Sequence, residues 1–118
     1  MVHLPLVIAM EESEASQGSQ FAGKIQSLDD LANLIDQLKQ EGRTVAQCHG
    51  VFDLLHPGHV RHFEAAKNEA DVLVVTITPD HLVNKGPGRP VFNEQLRAET
   101  LAALGCIDYV AINEWPTA

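Results

Sequence analysis

His56 and His59 stand three residues apart around Pro57 and Gly58, closing a decapeptide that reads G-V-F-D-L-L-H-P-G-H over residues 50–59. With His56 at a helix cap, both imidazoles point to one side and can donate to a single phosphate. Donors aimed at charge that develops in a transition state are typically worth about 3–4 kcal/mol each. The pair also has a plainer reading, in which His56 only caps the helix and His59 is a partly buried helix residue. A metal reading draws on His49, His56, His59 and His62, which are close in sequence. Structural zinc sites usually include cysteine ligands, so these histidines are assigned no metal.

The elements that must position this chemistry follow from the flanks. An apolar run with Val45, Ala46 and Cys48 precedes the decapeptide, and a helical pattern follows it. Pro57 therefore falls at the first helical position, where its missing N–H is no loss. Strand, tight loop and helix N-terminus come in that order. The unpaired N–H groups and positive dipole end of such a helix attract phosphate, and Gly50 and Gly58 let backbone approach a ligand closely.

Six of the ten positions, Gly50, Phe52, Asp53, His56, Gly58 and His59, match the nucleotide-binding signature of the cytidylyltransferase-like nucleotidyltransferases, which the sequence closely resembles. The resemblance implies a nucleotide-binding loop formed by Gly50, Val51, Phe52, Asp53 and Gly58. It implies also that His56 and His59 act on the α-phosphate of ATP or CTP during in-line attack. A bridging Mg²⁺ held mainly by phosphate oxygens suits such a site. Asp53 could orient the loop by accepting backbone N–H bonds or help to position Mg²⁺, and the loop-orienting role is preferred. His49 departs from the small polar residue, often asparagine or threonine, that the family carries before its glycine.

Lys85, Arg89 and Arg97 are three of only eight Lys and Arg residues in an acidic chain. The string K-G-P-G-R-P, residues 85–90, resembles a loop of the heptose-phosphate adenylyltransferases, the branch that adds a nucleotide to a sugar 1-phosphate. Arg97 matches an arginine that the wider family carries on the helix before its third core strand. A lysine neutralises phosphate as a point charge and an arginine as a planar fork, so together they could clamp the acceptor phosphate and the β,γ-phosphates. The plainer alternatives are a solvated loop for Lys85 and Arg89 and a surface helix charge for Arg97. Catalytic roles are expected for His56, His59, Lys85 and Arg97, and nucleotide contacts for Arg89 and the signature loop.

With 118 residues the chain suffices for one small α/β domain. A net charge of −8 argues against general affinity for nucleic acid or anionic membranes. Cys48 and Cys106 have no metal or redox spacing and are read as buried free thiols, as in a reducing cytoplasm. The apolar stretch at residues 4–10 is too short to span a bilayer and lacks the flanks of a signal peptide.

Residues 1–23 are read as a flexible leader and 24–118 as the domain. Ser27 offers an N-cap with Asp30 three residues on, and Leu28, Leu31, Leu34, Ile35 and Leu38 form a helical stripe closed by Gly42. Strands are expected at 44–48, 72–78 and 109–112, and helices at 58–68 and 93–104, the last carrying Leu96, Leu101 and Leu104. Asp80 falls in the first turn of a short helix. The continuously apolar V-L-V-V-T-I-T implies a strand buried on both faces, and the element order implies a Rossmann-like, doubly wound parallel sheet. Its ligand would lie beyond the carboxyl ends of the strands, where the signature falls.

The family's later strands and phosphate loop find no match, so the expected sheet has three strands and an uncovered edge. A homodimer with a contact at residues 107–115, possible help from residues 4–10, and little turnover alone are the expectation. The resemblance further implies a longer parent that could include a sugar kinase domain. The activity it implies is transfer of a nucleotidyl group to a sugar phosphate or phospho-alcohol with release of pyrophosphate. A nucleotide-binding module without turnover is the alternative.

Overall fold

The computed structural model describes residues 20–84 and 86–114. Four parallel strands, β1 (Ile25–Gln26), β2 (Val45–Gly50), β3 (Val72–Ile77) and β4 (Tyr109–Ile112), form one sheet in the order β1-β4-β3-β2. Helix α1 (Leu28–Gln40) leads into β2, α2 (Pro57–Asn68) crosses from β2 to β3, and α3 (Glu94–Ala102) from β3 to β4. This is the α/β architecture with a parallel, Rossmann-like sheet that the element order implies.

Strand β3 is buried at every position, with Leu73, Val75 and Ile77 in one apolar cluster and Val72 and Val74 in another. Successive side chains of a strand point to opposite faces, so a run of six buried residues must be covered twice. One cover is α2 with α3, which bring Phe63, Ala98 and Leu101 onto that face. The other is α1, whose Leu31 and Leu38 pack on Val72, Val74 and Ala111. Ser27 caps α1 through a bond from the Asp30 N–H at 3.1 Å, and Gly42 (φ 80°) ends its final turn in the left-handed region that glycine tolerates.

Two expectations are corrected here. The β4 edge is not uncovered: Ile25 and Gln26 pair with Val110 and Ala111, making β4 an interior strand whose Val110 and Ala111 are wholly buried, as is Ile107 just before it. Residues 107–114 therefore do not offer a free edge for a dimer contact, and Trp115 lies outside the described residues. The two-residue β1 escapes any periodicity test because it spans only a single alternation cycle. Lys24 secures it from the preceding 3-10 turn (Ala22–Lys24), donating from Nζ to the carbonyls of Ile107 at 2.8 Å and Leu104 at 3.2 Å. That turn includes the last residues of the expected leader, whose residues 1–19 lie outside the described residues. Among the described residues the edges of the sheet are instead the short β1 and the signature strand, β2.

The second correction is the phase of α3. Leu96 points outward, 46% exposed, while Arg97 points inward beside Ala98, Leu101 and Ala102. An arginine occupies a core position there because its polar head finds acceptors in the fold.

Candidate active site

The signature loop leaves the carboxyl end of β2 and enters α2 at His56, which is its N-cap, with Pro57 in the first turn. His56 and His59 build a reciprocal cap. The Gly58 N–H donates to Nδ1 of His56 at 3.0 Å, and the His56 N–H donates to Nδ1 of His59 at 3.2 Å. The rings lie 4.0 Å apart between centroids. An Nδ1 that accepts a backbone N–H must carry its ring proton on Nε2, so both imidazoles are held in the Nε2–H tautomer. Each ring thus extends a backbone amide into a polarised N–H donor, adding the field of the helix start to its own dipole. The expected bare helix terminus is corrected to this extent: the Gly58 N–H is taken up by His56 and the His59 N–H by the His56 carbonyl at 2.9 Å. Capping does not exclude a donor role, since the cap occupies only Nδ1 of each ring.

Phe52 shapes the loop. At φ 50° it is the one non-glycine residue in the left-handed region among those described, a costly conformation for a bulky side chain. The reversal lays its ring edge-on to Phe63 at 5.1 Å and to His59 at 5.8 Å. Gly50 and Gly58 make room for rings of the loop itself. A Cβ on Gly50 would come within 2.8 Å of the Phe52 ring, and one on Gly58 within 2.6 Å of Cε1 of His56.

Arg97 is placed behind the loop, not against open solvent. Its side chain is fully buried, and NH1 donates to the carbonyls of Val51 at 2.9 Å and Thr78 at 2.7 Å. Nε donates to the Phe92 carbonyl at 3.0 Å and NH2 to Oδ1 of Asp80 at 2.7 Å. These bonds join the signature loop, the end of β3 and the segment before α3. The expected phosphate clamp is therefore corrected, as is the surface-charge alternative, because a guanidinium spent on four protein acceptors holds the loop in place. Asp80, at the start of a 3-10 turn (Asp80–Leu82), is the functional partner that sequence reasoning missed. Its position directly beyond the strand was the available signal.

Asp53 binds the glycine- and proline-rich segment to the signature. Oδ2 accepts from the Val91 N–H at 2.7 Å and from NH1 of Arg89 at 3.3 Å, and Oδ1 accepts from the Phe92 N–H at 2.9 Å. Burial opposes its charge, but the two N–H groups and the Arg89 guanidinium outweigh it and hold the carboxyl below its ordinary value. Of the two roles considered for Asp53, these bonds are those of a loop-orienting residue. Arg89 rests on Asp53 with its side chain 39% exposed, and Lys85 lies outside the described residues. His49, beside Gly50, is engaged by the next strand, with Nδ1 2.8 Å from Oγ1 of Thr76.

No group of three or more His, Cys, Asp or Glu that could hold a metal occurs among the described residues. Both cysteines are free and half-buried, and burial pushes both thiols up. No described helix is long and apolar enough to cross a membrane.

Residues 47–117 match the family model of cytidylyltransferase-like proteins. The Bifunctional protein HldE of Geobacter metallireducens is 46% identical over 98 residues, covering 81% of this chain and 20% of its own length. Its namesake from Syntrophotalea carbinolica is 38% identical over 105 residues, 87% of this chain and 21% of its own. The chain thus spans about a fifth of the length of these curated relatives. Among solved structures, the lipopolysaccharide core biosynthesis protein from Thermoplasma volcanium GSS1 superposes with a TM-score of 0.56 at 30% identity, covering 60% of this chain and 58% of that one.

Proposed function

The chain belongs to the cytidylyltransferase-like family, and from that premise we propose that it binds ATP or CTP at the signature loop and transfers the nucleotidyl group to a phosphorylated acceptor. An acceptor phosphate oxygen, from a sugar phosphate or a phospho-alcohol, bonds to the α-phosphorus as the bond from that phosphorus to the bridging oxygen breaks. The electron pair leaves with pyrophosphate, and no covalent enzyme intermediate is needed. Catalysis is then positioning plus electrostatic stabilisation.

The observation that carries this reading is the reciprocal cap, which orients both imidazoles with their protons on Nε2 at the start of α2. Such donors cost no reorganisation when charge builds on the α-phosphate. Mg²⁺ fits as a companion of the triphosphate, because the Asp53 and Asp80 carboxylates are already engaged by N–H donors. When bound it neutralises charge on the leaving pyrophosphate. Lys85 and Arg89 are proposed to meet the acceptor phosphate or the β,γ-phosphates. The identity to HldE relatives favours a sugar 1-phosphate acceptor and a longer parent with a sugar kinase domain, and two free thiols suit a reducing cytoplasm.

The test is pyrophosphate release from ATP or CTP across a panel of sugar 1-phosphates, with the chain and its longer parent. His59→Ala is expected to cut turnover by about 10²-fold or more while nucleotide affinity changes little. Nucleotide binding without pyrophosphate release in either protein would reduce the reading to a binding module. Unchanged turnover in both His56→Ala and His59→Ala would remove the assigned histidine roles.

A further inference from the structure

His49 departs from the small polar residue that the family carries immediately before the signature glycine. Ala46 and Cys48 pack on the cluster under α2 and α3, and Val45 on the cluster under α1. Alternation therefore turns Gln47 and His49 to the α1 face, away from the Phe52 ring. His49 is exposed there, at the carboxyl end of β2, beside its buried register partner Thr76 on β3. Oγ1 of Thr76 accepts from Nε2 of Gln47 at 3.4 Å and lies 2.8 Å from Nδ1 of His49. The buried hydroxyl needs an acceptor for its single proton, and with Gln47 donating, Nδ1 is that acceptor, so the ring proton sits on Nε2. Nε2 lies 3.5 Å from Oγ1 of Thr78, and that hydroxyl lies 3.5 Å from the Gly50 carbonyl. Both distances exceed those of a well-formed bond, so the His49 N–H and the Thr78 hydroxyl keep bonding capacity at the ends of the strands. We infer that His49 and Thr78 bind a hydroxyl of the acceptor's sugar and so select a sugar phosphate over a phospho-alcohol without hydroxyls. The inference rests on the proposed transfer to a phosphorylated acceptor.

The spacing suits a hydroxyl group. An oxygen about 2.8–2.9 Å from each atom closes a triangle on the 3.5 Å side, accepting from Nε2–H and sharing a proton with the Thr78 hydroxyl. The side chains bonded to His49 are both uncharged, whereas the cations proposed to meet phosphate, Lys85 and Arg89, belong to the segment before α3. The acceptor's phosphate oxygen has to reach the α-phosphorus at the His56 and His59 cap. On the α3 side of the loop, residues 89–92 are already bound to Asp53. The open direction for the sugar is across the ends of β2 and β3, over His49 and Thr78. Thr76 holds the imidazole in place beforehand, so little side-chain freedom is lost on binding.

Calorimetric titration tests this on the 118-residue chain and its longer parent, loaded with the α,β-methylene analogue of ATP or CTP, whose bridging carbon prevents pyrophosphate release. The acceptors are a panel of hexose and heptose 1-phosphates, with phosphocholine as the one lacking hydroxyls. A sugar 1-phosphate is expected to bind about tenfold or more tighter than phosphocholine. His49→Asn keeps an amide at the Nδ1 position for Thr76 but has no donor at Nε2. It and Thr78→Val should each reduce the preference by about threefold to tenfold, the worth of one hydrogen bond. His49→Gln, whose amide falls at the Nε2 position, should recover part of it. Affinity for the nucleotide analogue and for phosphocholine should stay within about twofold in all three variants. No preference in the natural sequence, or a preference kept by both His49→Asn and Thr78→Val, overturns the inference. So does an equal loss for the nucleotide analogue, which assigns the pair to the ribose. The expected preference without pyrophosphate release from ATP or CTP leaves the pair standing and reduces the proposed transfer to binding. Release with a preference unmoved by the variants does the reverse.

Discussion

On one face of the sheet, α1 presses Leu31 and Leu38 onto Val72, Val74 and Ala111, a cover made of apolar contact. On the other, α2 and α3 add to an apolar floor of Phe63, Leu73 and Val75 a wholly buried guanidinium that reaches three separate segments. The difference lies in what each cover has to specify. Apolar contact is non-directional, so α1 can shift by a fraction of an ångström with little loss. Hydrogen bonds to Val51, Thr78, Phe92 and Asp80 fix both distance and angle, and they end at the loop that carries His56 and His59. The face that bears the candidate chemistry is the one held by directional bonds.

The sharpest way to break this contrast is Arg97→Ala. It leaves buried carbonyls and the Asp80 carboxylate without their donor, and a loss of about 3–5 kcal/mol is expected from urea unfolding. Arg97→Lys should recover only part of it, because one ammonium cannot reach four acceptors. Nucleotide affinity should fall in both variants, read by calorimetry at a temperature where each is folded. An Arg97→Ala protein with natural stability and affinity would erase the distinction between the faces.

Leu38→Ala samples the apolar cover, and a loss of about 2–4 kcal/mol is expected from the cavity and the lost transfer energy. Nucleotide affinity of the folded variant should stay as it was, since α1 lies on the far face from the signature loop. A parallel fall in affinity would show that the two faces are coupled.

The smallest effect is a pH dependence at Asp53. Its folded-state carboxyl is held below the ordinary value, so its stabilisation is fully present above about pH 4 and is lost as pH falls through the lower folded-state value. Protection of the Val91 and Phe92 N–H groups from hydrogen exchange, compared at each pH with Asp53→Asn, should decline over that acid window only in the natural sequence. Equal protection in both proteins throughout would detach Asp53 from the loop.

The sequence by itself determined whatever depends on neighbours in the chain. The Ser27 cap, the α1 stripe, the doubly buried β3 and Pro57 opening α2 behind His56 all follow from local spacing. So does the family signature, because its chemistry is packed into ten consecutive residues. Only the tertiary structure decided the rest. Arg97 meets Val51 across 46 positions and Asp53 meets Phe92 across 39, and no periodicity carries information over such a span. The same holds for β1, whose two residues become a strand only because β4 supplies the ladder. Gly50 and Gly58 read locally as room for a ligand, and the fold adds a second demand on them, since a Cβ there would meet the rings of Phe52 and His56. Local pattern reports which face a residue can turn to, whereas the acceptor that makes a buried guanidinium worth its desolvation is brought by a distant segment.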